Sequence, residues 1–274
     1  MKSSYRNLFS LKNKTVIVTG ALGFLGRECV KGLAEHGANV AIVDLIEEDA
    51  VIFAEEVSRV YNVKTVGVAC DVSVEADVSK MVEKVVETLG NVDVLFNNAA
   101  SKSNDLDAFF APFQEYSLDE WKKIMAVNLD GMFLVAKHVS KQMIHQQTGG
   151  SIIQTSSIYG IVGPDHRIYK GSLFLDREIN SPAVYSASKA GVVGLTTYLS
   201  TYLAKHRIRV NTLTPGGIQT GQNQQFIDNY SNRVPLGRMA NINEVVGAVI
   251  FMASEASSYM TGQNMIIDGG LTAW

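Results

Sequence analysis

The strongest constraint on this chain is an alternation of short β-branched runs with longer amphipathic stretches. The runs cover 15–19, 39–44, 65–70, 92–97, 151–155, 209–214 and 264–268. Most are apolar almost throughout, as parallel strands covered on both faces are. Between them the spacing predicts helices over roughly 23–36, 47–61, 75–89, 118–146, 185–205 and 243–254. Ser117 with Glu120, and Asn241 with Glu244, have the spacing of capping boxes. Repeated βα units with right-handed crossovers predict an α/β fold, a doubly wound parallel sheet of the Rossmann type. No linker, repeat or low-complexity tract divides the 274 residues, so a single domain over 1–274 is expected. Two stretches interrupt the pattern. Residues 158–182 suit neither helix nor strand, and loops of that length are usually functional. Residues 217–240 are rich in Asn, Gln and Arg, with few apolar residues to bury, and read as a mobile substrate lid.

Composition narrows the function. The chain is 46% hydrophobic and 19% charged, with a net charge of −3, which gives no basic footprint for nucleic acid or an anionic membrane. The two cysteines, Cys29 and Cys70, form no redox or disulfide motif and read as small buried residues. The five histidines show no metal-ligand spacing, so no metal is expected. No apolar run could span a bilayer, and residues 1–11 lack the apolar core of a signal peptide. A soluble, cytoplasmic protein with a small-molecule substrate is expected.

The first strand runs into Thr19-Gly20-Ala21-Leu22-Gly23-Phe24-Leu25-Gly26 and then a helix. Glycines there allow a tight turn and close backbone approach to a pyrophosphate, which the helix N-terminus attracts. Gly20, Leu22, Gly23, Phe24 and Leu25 are therefore candidate cofactor contacts. The same glycines could serve only a tight strand-to-helix turn. Asp44 ends the second strand, where a carboxylate accepts hydrogen bonds from ribose hydroxyls and repels a 2′-phosphate; no Arg or Lys follows to offset it. NAD is favoured over NADP. Asp71, with Val72, ends the third strand and is a candidate adenine contact, or simply a cap for the next helix.

Tyr185-Ser186-Ala187-Ser188-Lys189 places a phenol and an ammonium four residues apart on one helix face. A free tyrosine is a poor base at neutral pH, and a cation held close lowers its pKa into a useful range. The pair opens the helix after the fifth strand, whose end carries Ser156 and Ser157. Ligands of open α/β sheets bind at that end of the strands.

With these motifs in order, the chain resembles the short-chain dehydrogenase/reductase family in its compact, single-domain branch. The resemblance rests on Thr19–Gly26, Asp71, Asn97-Asn98-Ala99-Ala100, Asn128, Ser157, Tyr185–Lys189, Pro215-Gly216 and Asp268-Gly269-Gly270. It implies a catalytic tetrad of Asn128, Ser157, Tyr185 and Lys189. Tyr185 would exchange a proton with the substrate oxygen, and Ser157 would stabilise charge there. Lys189 would hold the nicotinamide ribose and depress the tyrosine pKa, and Asn128 would position a relay water. It further implies Asn98, Ala99 and Ala100 beside the adenine ribose, and Pro215, Gly216, Ile218 and Thr220 near the nicotinamide.

Two departures stand out. Phe24 occupies a position where the compact branch usually has Gly, and the Gly20, Gly23, Gly26 spacing is that of the extended branch, which processes sugar nucleotides. Ser157 and Tyr185 are 28 residues apart, about twice the family's gap. The intervening loop carries Tyr159, Asp165, His166, Arg167, Tyr169, Lys170, Phe174, Asp176 and Arg177. Arg167 and Lys170 are candidate contacts for a sugar-like or phosphorylated substrate. A solvated excursion or a subunit contact is the plainer reading.

The expected activity is hydride transfer between NAD(H) and a secondary alcohol or ketone, with a sugar-derived compound as candidate substrate. An NAD-dependent sugar-nucleotide epimerase and a non-catalytic dinucleotide sensor are the rivals. The apolar faces of 118–146 and 185–205 suggest a homodimer or homotetramer.

Overall fold

A computed structural model describes residues 5–103, 105–175 and 177–274, so Asp176 of the inserted loop lies outside the described residues. Seven parallel strands form one sheet: β1 (Thr15–Thr19), β2 (Asn39–Asp44), β3 (Thr65–Ala69), β4 (Val94–Asn97), β5 (Gly150–Thr155), β8 (Ile208–Pro215) and β9 (Asn264–Ile267). Their order is β3-β2-β1-β4-β5-β8-β9, so the winding reverses between β1 and β4 and opens a crevice at their C-terminal ends. Period-two alternation sorts the side chains. Val16 and Val18 of β1 face one core, with α1 (Phe24–Glu35), α2 (Glu47–Tyr61) and α9 (Asn243–Ala253) over it. Ile17 faces the other, covered by α3 (Glu75–Leu89) and α6 (Met132–Gln146) and by the C-terminal part of α7 (Ala183–Tyr202). No helix among the described residues is long and apolar enough to cross a membrane.

Four expectations change. The helix expected over 118–146 is broken: α5 (Leu118–Met125) passes through a π turn, Ala126–Gly131, before α6. The break has a packing cause. The α5 segment lies on α7 whereas α6 lies on α3, and an extra residue per turn re-phases the buried face between them. Gly131 completes the turn so close to Val72 that an added Cβ would lie 2.8 Å from Val72 Cγ2. Each expected capping box closes by half. Ser117 Oγ accepts from the Glu120 amide, whereas at α9 it is the Glu244 carboxylate that accepts from the Asn241 amide.

The inserted loop is more ordered than its sequence suggests. It makes 3-10 turns at Ile158–Gly160 and His166–Tyr169 and a short hairpin, β6 (Leu173–Phe174) with β7 (Arg177–Glu178). The Asn180 amide ties its end to the Phe110 carbonyl at 2.7 Å, and Arg177 pairs with Asp107 of α4 (Leu106–Phe109). The lid segment also buries more than expected. Its α8 (Gln224–Ser231) and flanks bury Tyr230, Val234 and Met239 against Ile158, Ile168 and Leu271, a satellite core shared with the inserted loop. Few apolar residues suffice because the loop supplies the opposite face.

Candidate active site

The glycine turn is held from beneath by Thr19. Its hydroxyl accepts from the Asn98 and Ala99 amides at 2.9 and 3.1 Å and donates to Asn97 Oδ1 at 3.3 Å. The Asn98 amide group reaches back to the Thr19 carbonyl. Gly20 takes φ +62°, and an added Cβ would sit 2.9 Å from Ala99 Cα, so this position needs glycine twice over. Gly26 needs it for packing: its Cβ would lie 2.1 Å from the Gly20 carbonyl oxygen. Gly23 is more tolerant, with its nearest neighbour at 3.4 Å. Phe24 opens α1 with its ring 71% exposed, so the local fold does not require glycine there.

Gly23 caps α1 without a side-chain hydrogen bond, which leaves the first amides of a twelve-residue helix facing the crevice. Asp44 stands beside them, accepting from the Leu22 and Leu45 amides at 2.8 and 2.9 Å. A carboxylate has lone pairs to spare after two such bonds. The guanidinium of α1, on Arg27, is committed to the Leu22 carbonyl and the Phe53 ring. These groups fit a dinucleotide: amides for the pyrophosphate, a carboxylate for ribose hydroxyls. Asp71 accepts from both the amide and the hydroxyl of Ser73, capping the turn into α3, with Val72 buried next to it.

Across the crevice, α7 carries Tyr185 and Lys189. Lys189 is buried and donates to the Thr155 carbonyl at 2.9 Å, while Ser156 Oγ donates to the Lys189 carbonyl at 2.7 Å. The end of β5 is thereby clamped to α7. Ser157 is buried beside the Tyr185 phenol. The side chain of Asn128, in the π turn, grips the Ser101 backbone at both ends, accepting at 2.7 Å and donating at 3.3 Å. Ser157 and Tyr185 thus face the crevice, with Lys189 buried behind them and Asn128 reaching it through Ser101.

The electrostatics differ from expectation. Burial pushes the Tyr185 phenol up, and the Ser157 hydroxyl pulls it partly back. The Lys189 ammonium is turned to the Thr155 carbonyl, 6.0 Å from the Tyr185 ring centroid, and is itself desolvated. Burial brings Lys189 down from 10.5 to about 8. The unfolded chain therefore holds a proton between those values that the folded chain has released. Stability from this site rises with pH across that window, by at most about 1.4 kcal/mol per pH unit for one proton. In Lys189→Met the rise should vanish, so urea titrations from pH 8 to 10 should show the variant losing ground to wild type. A pH-independent difference would show that the amine is not desolvated.

Ser157 and Tyr185 line a cavity of 490 Å³ with Ala100, Ser101 and Lys102 on one side. The inserted loop adds Tyr159, Tyr169 and Asn180; the lid adds Phe226, Tyr230 and Met239. Gly216 and Ile218 also reach it, from the end of β8. There Pro215 is the last strand residue and Ile218 bridges to Ala240. The Thr220 amide and hydroxyl are both occupied by the Gln222 side chain. Arg167 and Lys170 do not line the cavity. Arg167, 89% exposed at its side chain, is held by Asp165, and Lys170 is also exposed. The turn at 166–169 instead points Ile168 and Tyr169 inward.

The residues missed by sequence reasoning are those that brace others: Thr19, Ser101, Ser156 and Arg27. Only Thr19 carried a signal, a hydroxyl residue ending a β-branched strand before the first glycine. The remaining three act through backbone contacts that no motif marks.

A doubly wound sheet with an uncapped glycine turn at its switch point, and a Tyr–Lys pair with a buried lysine across the crevice, defines a dinucleotide-dependent oxidoreductase. A family model described as enoyl-(acyl carrier protein) reductase matches residues 20–272. The chain is 36% identical over 273 residues to 2,5-dichloro-2,5-cyclohexadiene-1,4-diol dehydrogenase of Sphingobium indicum, covering 96% of this chain and 98% of that one. Among solved structures it is similar to a gluconate 5-dehydrogenase from Burkholderia cenocepacia in complex with NADP and tartrate. That match has a TM-score of 0.85 and 31% identity and covers 98% of both chains. It is also similar to an NAD+-bound xylitol dehydrogenase, with a TM-score of 0.82 and 32% identity, covering 95% of this chain and 99% of that one. The chain belongs to the short-chain dehydrogenase/reductase family.

Proposed function

We propose that this chain transfers hydride between NAD(H) and a secondary alcohol or ketone carried on a small hydroxylated ring or sugar-like molecule. The observation that carries the reading is that Ser157 and Tyr185 line one aromatic-sided cavity together with Gly216 and Ile218 from the end of β8. The relatives named above act, by their names, on a cyclic diol, on gluconate and on xylitol, all polyhydroxylated or ring compounds. When bound, the nicotinamide supplies or accepts the hydride. Tyr185 takes the proton from the carbinol oxygen in oxidation and returns it in reduction, and Ser157 donates a hydrogen bond to that oxygen as charge develops. The Lys189 ammonium holds a ribose hydroxyl and steadies the tyrosinate. Asn128 acts by position: its amide is spent on Ser101, so its part in a proton relay falls to the main chain of the π turn.

NAD rather than NADP follows from Asp44, fixed beside the uncapped amides while Arg27, the guanidinium on α1, is committed to the Leu22 carbonyl. The test is a panel of polyols, sugars and cyclic alcohols with both cofactors. Oxidation should favour NAD by at least tenfold in kcat/KM, about 1.4 kcal/mol, and Asp44→Ala should narrow that ratio. A tenfold NADP preference in the wild type would overturn the assignment. The segments 158–182 and 217–240 together close the substrate side. The exposed Phe133, Tyr198 and Tyr202 on α6 and α7 support pairing of two copies in a homodimer or homotetramer.

A further inference from the structure

The inserted loop supplies the stretch of cavity wall beside Ser157 and Tyr185, and its chemistry is specific. Tyr159 and Tyr169 both line the cavity, their hydroxyls facing one another, and Tyr169 also faces the Ser181 hydroxyl. Next to them, Asn180 has its amide nitrogen tied to the Phe110 carbonyl. Its Oδ1 is fully covered by protein, so Asn180 braces this wall without offering the cavity an acceptor. Burial pushes both phenols up, so they remain neutral and can donate as well as accept. Tyr169 is stacked on Phe226 at 5.7 Å between centroids, a flat apolar flank beside these polar atoms.

A wall of neutral phenols, which both donate and accept, matches a hydroxyl group, whereas a carboxylate can only accept. We propose that Tyr159 and Tyr169 read a second hydroxyl on the substrate ring and so select cyclic diols and polyols over simple alcohols. The aromatic flank takes the C–H face of the ring while the reacting carbon lies at Ser157 and Tyr185. This rests on the oxidoreductase reading above and names its substrate class.

The experiment compares kcat/KM with NAD for cyclohexanol, 1,4-cyclohexanediol and 4-hydroxycyclohexanecarboxylate. The wild type should prefer the diol to cyclohexanol by about tenfold, and the double variant Tyr159→Phe, Tyr169→Phe should cut that ratio by about tenfold, chiefly through KM, as loss of one or two neutral hydrogen bonds predicts. A merely structural role for the tyrosines would lower both substrates in proportion and leave the ratio intact, which would overturn the proposal. So would a preference for the carboxylate over the diol. The single variants read the same ratio should the double variant not fold. If alcohols are oxidised without a diol preference, only this inference falls. If no alcohol in the wider panel is oxidised with either cofactor, the functional reading falls with it.

Discussion

Tyr185→Phe should lose about a thousandfold in kcat, within the usual range for removing a positioned acid–base group, while dinucleotide affinity stays within about threefold. The change deletes one oxygen and keeps the ring that packs against the cavity wall. The cofactor turn lies on a different element, braced by Thr19 and Asn98 with no contribution from α7. Ser157 remains to hold the substrate oxygen but has no exchangeable proton partner. Stopped-flow measurement of NADH formation, beside calorimetric titration with NAD, separates the two effects. Activity within tenfold of wild type would remove the phenol from the chemistry and sink the proposed mechanism.

Gly26→Ala should be the most damaging small substitution in the cofactor half. The new methyl would lie 2.1 Å from the Gly20 oxygen and 2.8 Å from Ala21 Cα, both backbone atoms that no side-chain rotation can clear. The turn cannot retreat, because Gly20 is already at φ +62° and packs on Ala99. Overpacking of this kind costs about 1–3 kcal/mol and occasionally more, and here it also tilts the amides that meet the pyrophosphate. The expected result is a destabilisation of about 3 kcal/mol in urea, with NAD affinity reduced at least a hundredfold. Gly23→Ala is the control: its contact at 3.4 Å is ordinary and its φ is −68°, so both quantities should change little. Equal effects at the two positions would show that glycine spacing, not close approach, governs the turn.

That contrast explains what the sequence could and could not reveal. The parallel sheet was legible because β1, β2, β4 and β5 are apolar on both faces, a pattern with few alternative folds. The turn, Asp44 and the Tyr185–Lys189 spacing stood out because the chemistry proposed for them would require particular residue types at particular places along the winding. The apparent conflict at Phe24 arose from treating glycine spacing as the signal. The structure shows two glycines constrained by contact or by φ and a third that is not. The π turn was invisible because a period of 3.6 continues across it within the scatter of an eleven-residue window, and only the change of packing partner from α7 to α3 demands the extra residue. Arg167 and Lys170 misled for a related reason. Charge attracts attention in a loop, yet the turn at 166–169 sends its charged members to solvent and its apolar and aromatic members inward.

The shared satellite core has a consequence for how this molecule exchanges its contents. Tyr169 on the inserted loop stacks against Phe226 on the lid, Asn229 donates to the Ile168 carbonyl at 3.0 Å, and Arg233 reaches Asp165 at 3.3 Å. Loop and lid are therefore joined along their whole common edge, and neither can swing out without exposing the apolar face of the other. Two sequence-distant segments thus form one side of the cavity together, and a substitution in either should loosen the packing of both.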